Sequence, residues 1–159
     1  MLKIQLICIG KLKEAYWRDA CAEYCKRLSA FCKFSILELP EYRLPEKPSQ
    51  AQIQHALEEE GKKILAAAGG YPVAALCVEG EAISSERFAS AISDICVDGN
   101  GGVNFVIGSS YGLSPSVKEA SFFRMSLSSM TFPHQLARVV LCEQIYRAFQ
   151  ILGNGHYHK

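Results

Sequence analysis

Short apolar runs alternate along the chain with segments whose apolar residues recur every three or four positions. The apolar runs predict β-strands, because their length and β-branched content are typical of strands. They span residues 4–9, 34–39, 73–78, 103–107 and 123–127. The helical segments span residues 13–29, 49 to about 68, 84 or 85 to about 95, a short stretch after 114–115, and 131–153. This alternation predicts an α/β fold with a mostly parallel sheet.

The predicted elements belong to one domain over residues 1–159, because no linker, repeat or low-complexity tract divides them. The runs at 73–78 and 103–107 lack polar alternation, so we expect both faces of each strand to be buried. Ligands of parallel sheets bind beyond the carboxyl ends of the strands. We therefore expect a site in the segments after Val78, Ile107 and Leu127.

The composition narrows the functional class. With 49% hydrophobic and 21% charged residues, the chain is typical of a folded globular protein. A net charge of +1 excludes a uniformly basic nucleic-acid-binding protein. Basic residues nevertheless concentrate at the two ends: residues 1–33 carry seven Lys/Arg against three Asp/Glu, and residues 118–159 carry five against two. The ends form a basic face if they fold together; ordinary solvated charge is the other interpretation.

The cysteines and the apolar runs indicate a cytoplasmic protein. There are seven cysteines, with no CxxC pair and no histidine placed to complete a zinc set. We therefore expect reduced thiols and no metal. No signal-peptide pattern opens the chain, and no apolar run approaches the ~18 residues of a membrane span, so no membrane contact is expected.

The segment Gly108-Ser-Ser-Tyr-Gly112 has two interpretations. It matches the G-x-S-x-G pattern of serine hydrolases, with Ser110 as nucleophile, but the helix start at Ser114-Pro115 comes several residues later than a nucleophile elbow requires. Alternatively, its glycines allow main-chain groups to approach a ligand closely. No P-loop and no G-x-G-x-x-G after the first strand is present.

The last helix has a narrow polar face. Glu143, Arg147 and Gln150 fall within a stripe of about 60° at the helical pitch. This predicts burial on two sides, against the sheet and against a second subunit; the central helix of a monomer is the alternative. Arg138 lies opposite the stripe, and a buried guanidinium needs an anion, which is either a carboxylate of the chain or a ligand group.

The C-terminal third resembles the RlmH family of SPOUT-superfamily methyltransferases. The resemblance rests on Ser-Leu-Ser-Ser-Met-Thr-Phe-Pro-His-Gln-Leu-Ala-Arg at 126–138, on 141–148, and on the closing Tyr-His-Lys at 157–159. Residues 105–114 match the family's glycine loop, and Gly80 with 84–89 matches an upstream block. The similarity extends over essentially the whole chain.

The resemblance implies a fold and a cofactor. The fold is an α/β knot, a parallel sheet flanked by helices with a trefoil knot near the C terminus, in a homodimer. The cofactor is S-adenosylmethionine, bound in the knot. Its contacts, carried over by position, are Leu76, Gly108, Leu127, Ser128, Ser129, Met130, Thr131 and Phe132.

The resemblance also implies a reaction, which is methylation of N3 of a pseudouridine in the helix 69 stem-loop of 23S ribosomal RNA on the assembled ribosome. The N3 proton is weakly acidic, so the site must assist its loss and stabilise the developing anion. The candidate catalytic residues are Arg138, His134, Tyr157 and His158. We expect Tyr157 and His158 to come from the partner chain and complete a composite site.

One residue departs from the family pattern. Ser109 stands where relatives often have glycine, and a Cβ there could crowd the cofactor or restrict the backbone. This departure leaves one alternative, a non-catalytic ribosome-binding factor that retains the knotted fold.

Overall fold

All five strands lie parallel in one sheet. The computed structural model describes residues 1–98 and 101–153. The strands are β1 (Lys3–Ile9), β2 (Lys33–Leu39), β3 (Val73–Ala82), β4 (Gly102–Ile107) and β5 (Phe123–Ser126). The helices are α1 (Ala15–Leu28), α2 (Gln50–Ala68), α3 (Ser85–Val97), α4 (Pro115–Ala120) and α5 (His134–Leu152). The strand order is β2-β1-β4-β3-β5, which confirms the predicted α/β architecture.

The helices begin where the sequence places capping residues. Ser49 and Gln52 form the reciprocal capping box of α2. Ser114 accepts a hydrogen bond from the N–H of Val117, with Pro115 in the first turn of α4. The last helix differs from the prediction: it begins at His134 rather than at 131, because the backbone is still extended at Pro133.

Alternate residues of the strands pack against helices on opposite faces of the sheet. Leu6 and Cys8 of β1 face the layer formed by α1, α3 and α5, whereas Ile7 and Ile9 face α2 and α4. Every residue of β4 is buried, as predicted for a strand covered on both sides. The largest interhelical contact on the first face is between α3 and α5.

The expectation that residues 73–78 are buried throughout was wrong. Val73, Ala74 and Ala75 are buried, but Val78 is 76% exposed. The cause is the length of β3, which pairs with β4 only as far as Leu76 and resumes pairing with β5 at Glu81. The residues between those points extend beyond the neighbouring strand, where they border an open cavity.

Candidate functional site

A cavity of about 420 Å³ opens at the carboxyl ends of β3, β4 and β5. Three segments surround it: residues 76–79 in β3, residues 107–113 from the end of β4 onward, and residues 126–134 from the end of β5 to the start of α5, apart from Ser129. This is the edge at which parallel sheets bind ligands. The structure therefore brings together the three segments in which the sequence predicts a site.

The glycine loop after β4 is folded tightly on itself. Ser109 and Gly112 form an isolated antiparallel bridge, in which the Gly112 N–H donates to the Ser109 carbonyl oxygen at 2.9 Å. A Cβ on Gly108 would overlap the carbonyl oxygen of Gly112, so position 108 requires glycine. At Gly108 and Gly112 the loop consequently presents main-chain atoms to the cavity, and Tyr111 between them is the loop's one aromatic side chain in the lining.

Local hydrogen bonds shape the segment between β5 and α5. The Ser126 hydroxyl donates to the carbonyl oxygen of Ser128 at 2.8 Å, and the Ser128 hydroxyl accepts from the N–H of Met130 at 3.0 Å. These bonds turn the chain across the mouth of the cavity. Met130 is 72% exposed there, so its side chain is available to a ligand.

Seven of the eight predicted cofactor residues border the same cavity. They are Leu76, Gly108, Leu127, Ser128, Met130, Thr131 and Phe132. The eighth, Ser129, is exposed and does not belong to the lining. The structure thus gathers around one cavity residues that are more than fifty positions apart in the sequence.

His134 and Arg138 stand one turn apart at the start of α5, and only His134 lines the cavity. Arg138 is 1% exposed and donates to the Glu38 carboxylate at 2.9 Å and to the Gly10 carbonyl oxygen at 3.2 Å. Burial, reinforced by the positive charge of Arg138, lowers the pKa of His134 below its ordinary value. At pH 7 the imidazole is therefore uncharged, and in that form one of its ring nitrogens can accept a hydrogen bond.

The two remaining catalytic candidates, Tyr157 and His158, lie outside the described residues. Their expected position over the site of a partner chain stays a prediction.

Sequence reasoning missed an ion pair that borders the cavity. Lys118 of α4 pairs with Glu79 of β3, and hydrogen bonding to Lys118 lowers the pKa of Glu79. Both side chains belong to the cavity lining. The signal was present in the positions, because Glu79 directly follows the apolar run at 73–78 and Lys118 lies in the first helix after the glycine loop. What the sequence does not reveal is that these two segments meet.

The hydroxyl of Ser109 is directed to α2 rather than left in the cavity. It donates to Oε1 of the buried Glu60 at 3.3 Å. The side chain that departs from the family pattern therefore has a partner in the protein, and the cavity beside it stays open.

Ser110 does not have the geometry of a hydrolase nucleophile. It is exposed within the turn between Ser109 and Gly112, and α4 begins only at Pro115. A nucleophile elbow needs a serine directly on a strand-to-helix turn. The interpretation of the loop as a main-chain cradle is the one that its geometry favours.

The described residues offer no metal centre: residues 1–98 and 101–153 contain no group of three or more His, Cys, Asp or Glu side chains able to hold an ion. Within the same part of the chain, every helix is too short or too polar to cross a membrane.

Comparison with solved structures shows the class of fold. A probable methyltransferase from Bordetella pertussis superposes with a TM-score of 0.57 at 15% identity, over 92% of this chain and 96% of that one. A probable methylase family protein from Haemophilus influenzae gives a TM-score of 0.52 at 12% identity, over 98% and 70% of the two chains. At such identities the likeness concerns the fold alone.

Sequence comparison shows the family. Residues 2–158 match the family described as "Predicted SPOUT methyltransferase". Proteins from Streptococcus uberis and Streptococcus sanguinis, both named ribosomal RNA large subunit methyltransferase H, are 45% and 47% identical over 99% of this chain and 100% of theirs. The chain belongs to the SPOUT methyltransferases and, among them, to the RlmH family. Its trefoil knot remains an implication of that membership.

Proposed function

We propose that this protein transfers a methyl group from S-adenosylmethionine to N3 of a pseudouridine in helix 69 of 23S ribosomal RNA, on the assembled ribosome in the cytoplasm. The observation that carries the proposal is the cavity at the ends of β3, β4 and β5, around which seven residues of the expected donor site converge. The name of the streptococcal relatives supports ribosomal RNA of the large subunit as the substrate.

The cavity suits S-adenosylmethionine in size and chemistry. About 420 Å³ lies within the range of pockets that bind small cofactors. Leu76 and Leu127 offer apolar walls for a flat base, and the glycine loop offers main-chain donors and acceptors for its edge. Lys118 and Glu79 supply one charge of each sign for the zwitterionic end. When bound, the group supplies a methyl already activated by the adjacent sulfonium.

The chain's own residues must orient the base and help it lose the N3 proton. His134 lines the cavity, and its neutral imidazole can accept a hydrogen bond from N3–H. Arg138 lies one turn behind it with its guanidinium held by Glu38. In this arrangement Arg138 acts through its charge, which adds to burial in lowering the pKa of His134 and favours the anion that develops on the base.

A homodimer completes the proposed site. Apolar side chains lie at the end of α5: Phe149 stacks on Phe31, from the turn after α1, with ring centroids 5.7 Å apart, and Leu152 follows one turn later with 43% exposure. Such a surface suits a second copy of the chain. Tyr157 and His158 of each chain then reach the cavity of the other.

Ribosome methylation tests the proposal. Ribosomes that lack the modification are incubated with the protein and isotopically labelled S-adenosylmethionine, and the mass of each 23S rRNA fragment is mapped. We expect one labelled methyl group on a pseudouridine of helix 69. A free RNA hairpin should react far less, because a chain of net charge +1 has a weak electrostatic hold on RNA.

The result that would overturn the proposal is an unlabelled helix 69 after incubation with active donor. If calorimetry nevertheless shows donor binding, the protein is a methyltransferase with another target. If the donor does not bind either, the alternative of a ribosome-binding factor takes its place. That alternative was suggested by the added Cβ of Ser109, and the hydrogen bond that turns this side chain to Glu60 favours the enzyme over it.

A further inference from the structure

A buried carboxylate lies directly behind the glycine loop. Glu60, in the middle of α2, is 4% exposed. Its Oε1 accepts the hydroxyl of Ser109 at 3.3 Å, and its Oε2 accepts the backbone N–H of Tyr42 at 3.1 Å. One carboxylate therefore connects the loop after β4 with the loop after β2, both at the carboxyl edge of the sheet.

Glu60 interrupts an otherwise apolar stripe. The buried residues one turn to either side of it on α2 are Ala56 and Ile64. Burial raises the pKa of the Glu60 carboxyl, against the opposing hydrogen bonds from Tyr42 and Ser109. Burying a carboxylate at this position lowers the stability of the fold, whereas burying a leucine there would not. Residues that break the local pattern in this way concentrate at functional sites.

The neighbouring residue holds the other end of the same loop. At Gly61, α2 approaches the start of α4 so closely that a Cβ would overlap the hydroxyl of Ser114. Ser114 is the N-cap of α4 and accepts from the Val117 N–H. Helix α2 thus contacts the loop at Ser109 through Glu60 and at Ser114 through Gly61, and the cavity-lining main chain lies between these contacts.

We infer that Glu60 is a positioning residue of the methyl-donor site: by binding Ser109 it fixes the main chain of residues 108–112 in the conformation that receives the donor. The inference rests on the proposed function. The apparent affinity of a ligand falls with the fraction of protein in the receiving conformation. A loosened loop therefore binds the donor more weakly, although Glu60 is absent from the lining of the cavity.

A double-mutant cycle on donor affinity tests the inference. Calorimetry with S-adenosylmethionine is carried out on the wild type, Glu60→Gln, Ser109→Ala and the double variant. In Glu60→Gln the one remaining oxygen serves the Tyr42 N–H, which can only donate, so the Ser109 hydroxyl loses its carboxylate acceptor. We expect each single variant to weaken binding about fivefold, and the double variant no more than either single one, because both break the same contact.

Two controls separate positioning from stability. Glu58→Gln makes the same chemical change on the exposed side of α2 and should leave the affinity unchanged. The midpoint of thermal unfolding of Glu60→Gln should change little, because the lost hydrogen bond and the relieved cost of burying the charge oppose each other. Weaker binding without lost stability is the signature of a positioning residue.

The inference would be overturned if the losses of donor affinity in the two single variants multiplied in the double variant. It would also be overturned if both single variants bound the donor as the wild type does. If Glu60→Gln does not fold, Ser109→Ala decides alone, and wild-type affinity in that variant is the contradicting result. The proposed function fails differently: the wild type itself would then show no donor binding, and the inference would fall with it.

Discussion

Arg138 and Glu38, one hundred positions apart in the sequence, form an ion pair of 2.9 Å between the start of α5 and the end of β2. The guanidinium is almost fully buried and also donates to the Gly10 carbonyl oxygen at the end of β1. The Glu38 carboxylate accepts a second bond, from the Leu12 N–H. The pair therefore ties α5, and with it His134, to the carboxyl ends of two strands.

Replacing Glu38 with glutamine should destabilise the protein. The Arg138 guanidinium would remain buried without its counter-charge, at a cost of about 2 kcal/mol; this is below the range for fully buried pairs because the Glu38 side chain is 36% exposed. Urea denaturation measures the loss. Glu23→Gln, which breaks the exposed pair with Arg27, is the control and should leave stability unchanged. Equal behaviour of the two variants would contradict the structural role of the buried pair.

Stability should decrease on acidification because of His134. Its pKa is lowered in the folded protein, so the unfolded chain binds more protons below about pH 6.5. The stabilisation is complete above that pH and is lost as the pH falls through the lowered pKa. Unfolding free energies of the wild type and His134→Gln, measured between pH 5 and pH 8, should converge on the acid side. The exposed His55 provides the matched control, His55→Gln. Parallel profiles for wild type and His134→Gln would refute the effect.

Gly61→Ala should destabilise the fold, although alanine is the better helix former by about 1 kcal/mol. The added Cβ would overlap the Ser114 hydroxyl and force α2 away from the N-cap of α4, which we expect to cost about 1–3 kcal/mol in net stability. Denaturant unfolding measures the sign. Ala66→Gly, at an exposed position of the same helix, should show the ordinary preference for alanine. A stabilised Gly61→Ala variant would mean that the two helices are not in close contact.

Replacing Tyr157 and His158 with alanine should reduce ribosome methylation at least tenfold and leave donor affinity unchanged, because these residues are proposed to act on the base. Methylation rates and calorimetry on the same preparation provide the two measurements. A variant that methylates at the normal rate would remove both residues from the mechanism.

Mixed dimers distinguish a composite site from one built within a single chain. Gly108→Ala disables the pocket of one chain, because the new Cβ overlaps Gly112. Chains that carry Gly108→Ala are mixed with chains that carry the alanine replacements at Tyr157 and His158. In a mixed dimer the intact pocket of the second chain meets the intact tail of the first, and activity should return. A mixture as inactive as its two components would show that each chain uses its own tail.

The elements and their starts could be predicted because they depend on local chemistry. Ser49 and Gln52 predict a capping box from four consecutive residues, and the uninterrupted apolar run of β4 predicts burial on both faces of the strand. Strand β3 was misjudged because its exposed second half depends on where β4 ends. Nothing within the run Val73–Val78 contains that information.

The segments that form the site could be predicted from the sequence, but the pairs of side chains that bond to each other could not. The need of Arg138 for an anion follows from its place on an apolar face, but the identity of Glu38 depends on which strand ends meet. The unusual position of Glu60 is visible in the sequence, since a glutamate four positions from both Ala56 and Ile64 interrupts the buried stripe of α2. Its partner Ser109 is forty-nine positions away, so only the fold reveals the contact.

The structure of the protein with S-adenosylmethionine bound tests the central claim most directly. The donor should occupy the cavity between the glycine loop and residues 127–132, with its base against Leu76 and Leu127 and its methyl group facing His134. A donor bound elsewhere on the molecule, or none at saturating concentration, would contradict the assignment of this cavity.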